Sequence, residues 1–195
     1  TPDKKYLVAT DLGEDQVYIY SFSKTPAREL ILKKILKTTP GSGPRHLAFS
    51  PNGKFAYLTH EFTGAVTAYK YADGNLTELQ QIETVANNFK GKIDAADIHV
   101  SADGKFLYQT NRGDLNSISL FAIAANGTLK HIETVSTLGK GPRNFSIDPS
   151  GNHLLVAHQY TNDVVIFKRD AKTGKLTDSG NRINVGAPVC LVFTP

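Results

Sequence analysis

The sequence predicts an all-β fold, a β-propeller of four-stranded antiparallel blades, and three observations carry that prediction. A turn cassette recurs as Thr1-Pro2-Asp3-Lys4-Lys5, Ser50-Pro51-Asn52-Gly53-Lys54, Ser101-Ala102-Asp103-Gly104-Lys105 and Asp148-Pro149-Ser150-Gly151-Asn152, at steps of 47 to 51 residues. A period in that range with strand-like content marks propeller blades. Between the turns, residues alternate with period two, as in 65–71, where Val66, Ala68 and Lys70 oppose Thr67, Tyr69 and Tyr71. No segment carries a helical signal.

The repeat spanning 43–94 is complete. A short apolar strand over 45–50 enters the turn at Pro51-Asn52-Gly53, and a second strand over 55–59 leaves it. Phe62-Thr63-Gly64 turns the chain into the alternating strand over 65–71. Asp73-Gly74-Asn75 is a hairpin signal, and 76–85 supplies the fourth strand. The repeats over 95–140 and 141–185 follow the same order, four strands to a blade. Residues 1–42 form a partial blade without its innermost strand, and 186–195 reads as a lone innermost strand.

The 195-residue chain contains no Met, even at position 1, and opens inside a repeat, so it reads as part of a longer protein. An arc of blades leaves strand edges unpaired. Missing N-terminal blades or a partner chain are therefore expected to close the ring. A single cysteine, Cys190, excludes an intrachain disulfide and fits a reducing, cytoplasmic setting. Its flanks Val189 and Leu191 predict a buried structural thiol. No apolar run approaches the ~20 residues of a membrane span, and no membrane partner is expected. The net charge is +4, but the lysines are scattered through turns and only Lys33, Lys34 and Lys37 group. That group reads as a solvated outer edge, and no nucleic-acid partner is expected.

Register places the polar residues. The first strand of a blade follows the axis and the second returns antiparallel, so the start of one and the end of the other share a face. Eight residues before the turn glycine stand Arg45, Ala96 and Arg143; seven before it stand His46, Asp97 and Asn144. Seven after it stand Asp11 (counted from Lys4), His60, Asn111 and His158; eight after it stand Leu12, Glu61, Arg112 and Gln159. Convergent polar groups at the mouth of a β-structure are the default site. Arginine suits bidentate capture of carboxylate or phosphate, and His and Glu supply acid–base capacity. Each has a plainer reading: an interblade ion pair for Arg45 and Arg143, junction packing for His46, a solvated strand end for Glu61, a turn cap for Asp11. His99, His131 and His153 fall within strands or at outer edges and read as structural or surface residues. His60-Glu61-Phe62-Thr63-Gly64 lacks the second His of a zinc helix, and no metal is expected.

At these residues the sequence resembles the seven-bladed propeller lactonase family. The stretches that carry the resemblance are Asp11-Leu12-Gly13, Gly43-Pro44-Arg45-His46, Ala96-Asp97-Ile98-His99-Val100, Thr110-Asn111-Arg112-Gly113, Gly141-Pro142-Arg143-Asn144-Phe145 and Gly186-Ala187-Pro188-Val189-Cys190. The resemblance covers the whole chain and implies that about four of seven blades are present, the family's C-terminal half. It is similar in fold to a fungal carboxymuconate-cyclising enzyme whose Arg, Glu and Arg fall on Arg45, Glu61 and Arg112; that enzyme's His would lie before Thr1. The resemblance implies catalytic roles for those three, and hydrolysis of a small phosphorylated or carboxylated sugar lactone, 6-phosphogluconolactone first, without cofactor. His46, Asp97, Asn111, Arg143, Asn144, His158 and Gln159 are then the expected substrate-binding residues. A muconate-type cycloisomerase and a non-catalytic binding propeller are the alternatives.

Overall fold

The four cassettes fold into one turn for one reason: the first residue's oxygen caps the amide five residues on. Ser50 Oγ accepts from Phe55 N at 3.0 Å, Ser101 Oγ from Phe106 N at 3.0 Å, Thr1 Oγ1 from Tyr6 N at 3.1 Å and Asp148 Oδ1 from His153 N at 2.7 Å. The turn also needs a left-handed residue, supplied by Gly53, Gly104 and Gly151 at φ +68°, +71° and +75° and by Lys4 at φ 59°. The computed structural model describes every residue except Pro26, Arg28, Asn87 and Pro195.

The described residues form four antiparallel sheets and no helix. The first contains β1 (Tyr6–Asp11), β2 (Gln16–Phe22) and β3 (Leu30–Lys37). The second contains β4 (Pro44–Phe49), β5 (Phe55–His60), β6 (Val66–Ala72) and β7 (Asn75–Ile82). The third contains β8 (Ala95–Val100), β9 (Phe106–Asn111), β10 (Ser117–Ile123) and β11 (Leu129–Ser136). The fourth contains β12 (Pro142–Ile147), β13 (His153–His158), β14 (Asp163–Arg169) and β15 (Leu176–Asn184). Strands pair in chain order within each sheet, as propeller blades do. The inner strands contact one another, β4 with β8 and β8 with β12. The register slips at the start of all three, between Pro44 and Leu47, Ala95 and Ile98, and Pro142 and Asn144. Such bulges re-aim side chains, and these carry Arg45, His46, Ala96, Asp97 and Arg143.

Both faces of each inner blade are buried because each is sandwiched between neighbours. Ala56 and Leu58 of β5 face the first blade, against Val17 and Ile19. Tyr57, between them, faces the third blade, against Ile98, Leu107 and Phe121. Phe145, Val156 and Phe167 close against Tyr108, Ile118 and Leu120. Tyr57 and Tyr108 hold one register position, and each hydroxyl donates to a carbonyl in the next blade's outer turn, Gly127 O at 3.2 Å and Gly174 O at 2.6 Å.

Two expectations need correction. The segment after β15 is not a strand: it forms no ladder, and side chains tether it, Asn162 Oδ1 accepting from Ala187 N and Asn144 Oδ1 from Leu191 N. An inner strand takes its register from the second strand of its own blade, and among the described residues no strand pairs with this segment. For the same reason Cys190 is exposed rather than buried, since among the described residues no strand pairs beside Val189 and Leu191. The grouped lysines do lie on an exposed outermost strand, β3, but not idly. Lys33 Nζ donates to Tyr6 Oη at 3.0 Å and Asp73 O at 3.2 Å, clamping the first blade to the second.

Candidate functional site

The crossovers between blades set where the site arginines begin. In three blades a residue with positive φ reaches across to the next crossover: Asp15 (φ 51°), Asn116 (φ 44°) and Asn162 (φ 58°). Asp15 accepts from Gly41 N at 2.6 Å and Gly43 N at 2.8 Å, just ahead of Arg45. Asn116 Oδ1 accepts from Gly141 N at 2.7 Å, just ahead of Arg143. These amide bonds hold the Asp15 carboxyl below the usual range. Asp11 is a turn cap, its Oδ1 accepting from Gly13 N and Glu14 N.

At the bulges the predicted trio meets. Glu61 bridges two guanidiniums, with Oε2 2.7 Å from Arg45 Nε and Oε1 3.1 Å from Arg112 Nη2. Arg112 Nη2 also donates to Asp94 Oδ1 at 2.7 Å and its Nε to Asp94 O at 3.3 Å. Arg45 Nη1 donates to Ala96 O at 2.5 Å and meets His46 Nε2 at 3.1 Å. Burial and the charge of Arg112 lower the Arg45 pKa, with Glu61 partly offsetting them. Both arginines stay charged, and each has five N–H donors, more than these acceptors use.

Asp97 is the second centre. Its Oδ1 accepts from His46 Nδ1 at 2.8 Å and Ile98 N at 3.0 Å. Its Oδ2 takes His99 Nε2 at 2.9 Å, Asn144 Nδ2 at 2.6 Å and Phe145 N at 3.2 Å. Burial opposes its ionisation, but the bonds from His46 and His99 outweigh it and hold the carboxyl far below the usual range. An ionised carboxylate accepts only and a guanidinium donates only, so His46 carries its proton on Nδ1 and presents a lone pair on Nε2. Both imidazoles are half-exposed. They line an open groove of about 790 Å³ along β1, β4 and β8, with Thr10, Arg45 and Asp97.

The remaining expected residues separate. Asn144 spends both polar ends, on Asp97 and Leu191, so it positions rather than binds. Asn111 is buried and its Oδ1 accepts from Asp94 N at 3.1 Å, fixing the acid that pairs with Arg112. His158 is wholly buried beneath Gly139, and Asp163 Oδ1 lies 3.2 Å from its Nδ1 but out of line for a hydrogen bond. Neither side chain is open to a substrate, because the seventh position after the turn glycine points between blades. His60 shows the same burial, held by Ser42 Oγ and Thr67 Oγ1. Arg143 and Gln159 are half-buried at the same rim.

Two participants escaped sequence reading. His99 was read as structural, yet it shares Asp97 with His46; lying two residues beyond Asp97 on a strand, it had to share that face. Asp94 stands where the other crossovers have Gly43 and Gly141, an acid in place of glycine that was the available signal. His131 and His153 are outer-surface residues. Among the described residues no cluster of three or more His, Cys, Asp or Glu is placed to hold a metal ion. No helix there is long and apolar enough to cross a membrane.

The model of the family described as "Lactonase, 7-bladed beta-propeller" matches residues 1–193. A 6-phosphogluconolactonase of Formosa agariphila is 44% identical over 178 residues, covering 89% of this chain and 50% of that protein. The 6-phosphogluconolactonase of Bacillus subtilis is 37% identical over 196 residues, covering 99% of this chain and 55% of its own length. The solved periplasmic gluconolactonase PpgL of Pseudomonas aeruginosa superposes with a TM-score of 0.94 at 40% identity, over 100% of this chain and 55% of that one. The chain thus spans about half the length of the relatives it matches. Matched across residues 1–193 and folded into the same blades, the chain belongs to the seven-bladed β-propeller lactonase family.

Proposed function

We propose that the whole protein hydrolyses a sugar-acid lactone, 6-phosphogluconolactone first among candidates, and that this chain supplies the reacting centre. The observation that carries the reading is the contact between two assemblies: the Arg45–Glu61–Arg112 bridge, and the Asp97–His46 pair whose Nε2 abuts Arg45. The names of the relatives support the same chemistry.

Both carboxylate oxygens of Glu61 are taken up by guanidiniums, so Glu61 holds the arginines in place and His46 is the base. As Arg45 Nη1 leaves His46 Nε2 for the lactone carbonyl oxygen, the freed Nε2 lone pair takes a proton from water while the water oxygen bonds to the carbonyl carbon. The carbonyl electron pair moves onto its oxygen, and Arg45 and Arg112 stabilise the resulting oxyanion. Collapse breaks the bond to the ring oxygen, which takes the proton back from His46 and leaves as a hydroxyl. One water is added and the product is the open-chain acid. Further blades of the same polypeptide, or a partner chain, would close the ring around this centre. The single cysteine supports a cytoplasmic setting, which cell fractionation checks.

In the full-length protein, Arg45→Ala and Arg112→Ala should each lower kcat/KM for 6-phosphogluconolactone on the order of 10²-fold. Proton release on lactone opening measures it. Wild-type activity in both variants sinks the assignment, and turnover of carboxymuconolactone instead supports a cycloisomerase.

A further inference from the structure

The second and fourth blades repeat one device and differ in one residue. Arg45 stands at the bulge of β4 and Glu61 just beyond β5, and Glu61 N donates to Gly43 O at 2.7 Å. Arg143 stands at the bulge of β12 and Gln159 just beyond β13, and Gln159 N donates to Gly141 O at 2.9 Å. The backbone frames are the same. In the second blade the side chain on that frame is a carboxylate that neutralises its arginine. In the fourth it is an amide, which has no charge to offer.

The consequence is visible at both partners. Among the described residues the Arg143 guanidinium makes no hydrogen bond or ion pair, whereas those of Arg45 and Arg112 are matched by Glu61 and Asp94. The Oε1 atom of Gln159 is buried and likewise has no partner. The Arg143 charge reaches the site, since it is one of the charges that disfavour protonation of Arg45. Arg45 and Arg112 have donors to spare, but each faces an acid, Glu61 between them and Asp94, which Arg112 shares with the exposed Lys92 at 3.4 Å, whereas Arg143 faces none. A phosphate dianion demands charge as well as donors.

We propose that Arg143 is the specificity-determining residue of this site: it pairs with an anionic substituent on the lactone, a phosphate ester. Arg45 and Arg112 serve the reacting carbonyl. The assignment rests on the lactone-hydrolase reading above and divides labour among arginines that register alone leaves equivalent.

Gln159→Glu tests it with an isosteric change that copies the second blade and supplies Arg143 with an acid. In the full-length enzyme, kcat/KM for 6-phosphogluconolactone should fall about 10- to 100-fold further than that for unphosphorylated gluconolactone. Arg143→Gln should reproduce the pattern, with the loss in KM rather than kcat. Equal losses on both lactones, or a wild-type enzyme without preference for the phosphorylated one, overturn the assignment. Calorimetric binding of 6-phosphogluconate against gluconate separates it from the hydrolase reading. Weakening confined to the phosphorylated acid in Gln159→Glu upholds Arg143 as the phosphate reader even if neither lactone is turned over. Equal binding of both acids overturns it.

Discussion

His60 shows how one side chain couples the rim to the stability of the blade beneath it. Its ring is 1% exposed between Ser42 and Thr67, and burial pushes its pKa down to about 4 against a weaker opposing pull from Asp15. The unfolded chain takes up this proton near the ordinary value of about 6.5, while the folded protein resists it down to about 4. The stabilisation is therefore complete above about pH 6.5 and drains as pH falls towards 4, by about 3 kcal/mol in total. His158, also lowered by burial, adds in the same direction. Urea unfolding at pH 7 and pH 4.5 should show this loss, and His60→Gln should flatten it. A variant that titrates like the wild type refutes the assignment. Asp97 differs because it gathers five donors and ionises readily. Its charge is what permits His46 and His99 to share it.

At the scale of elements, the recurring unit is the turn residue that anchors the next crossover. Asn116 takes up the left-handed conformation, its carbonyl accepts from Thr137 N at 3.0 Å, and its side chain holds Gly141 N at 2.7 Å. Asn116→Gly keeps the backbone freedom and removes only the two side-chain bonds, the one accepted from Gly141 N and the one donated to Gly113 O at 3.1 Å. It should cost about 1 kcal/mol and speed hydrogen exchange at the Gly141 amide, the residue two before Arg143. Unchanged exchange there means that the β12 bulge alone sets the arginine. These turns were legible in sequence because their chemistry is local: Ser, Asp or Thr caps an amide five residues on, and glycine takes the positive φ. The segment 186–195 was not, because a strand is defined by what it pairs with. The motif Gly186-Ala187-Pro188 matches Gly43-Pro44 in kind, yet among the described residues no adjacent strand gives it a ladder.

Across the whole molecule, stability resides between blades rather than within them, in three clusters that each draw on two adjacent sheets. Phe145 is 0% exposed, stands edge-on to His99 and Tyr108, and its amide donates to Asp97. Phe145→Ala should cost about 3–5 kcal/mol and reduce activity as well, since the cavity opens beside Asp97. Chemical denaturation with parallel assay checks both; a loss of stability without loss of activity would separate the core from the site. The clamp from β3, through Lys33 to Tyr6 and Asp73, is the outer counterpart of this interblade packing.

The sequence by itself determined the period, the turn chemistry, the all-β class and the register positions at which repeats differ, among them Arg45, Glu61 and Arg112. These properties depend on neighbours within a few residues, or on counting. Only the tertiary structure decided which polar residues meet: His46 with Asp97 from 51 residues away, and Asn144 with the same carboxylate from 47. It also buried His158 and Asn111, brought His99 and Asp94 into the site, and left Arg143 unmatched among the described residues. Hydrogen bonds and ion pairs form or fail within about an ångström. That margin is set by bulges and interblade packing, which no single repeat specifies alone.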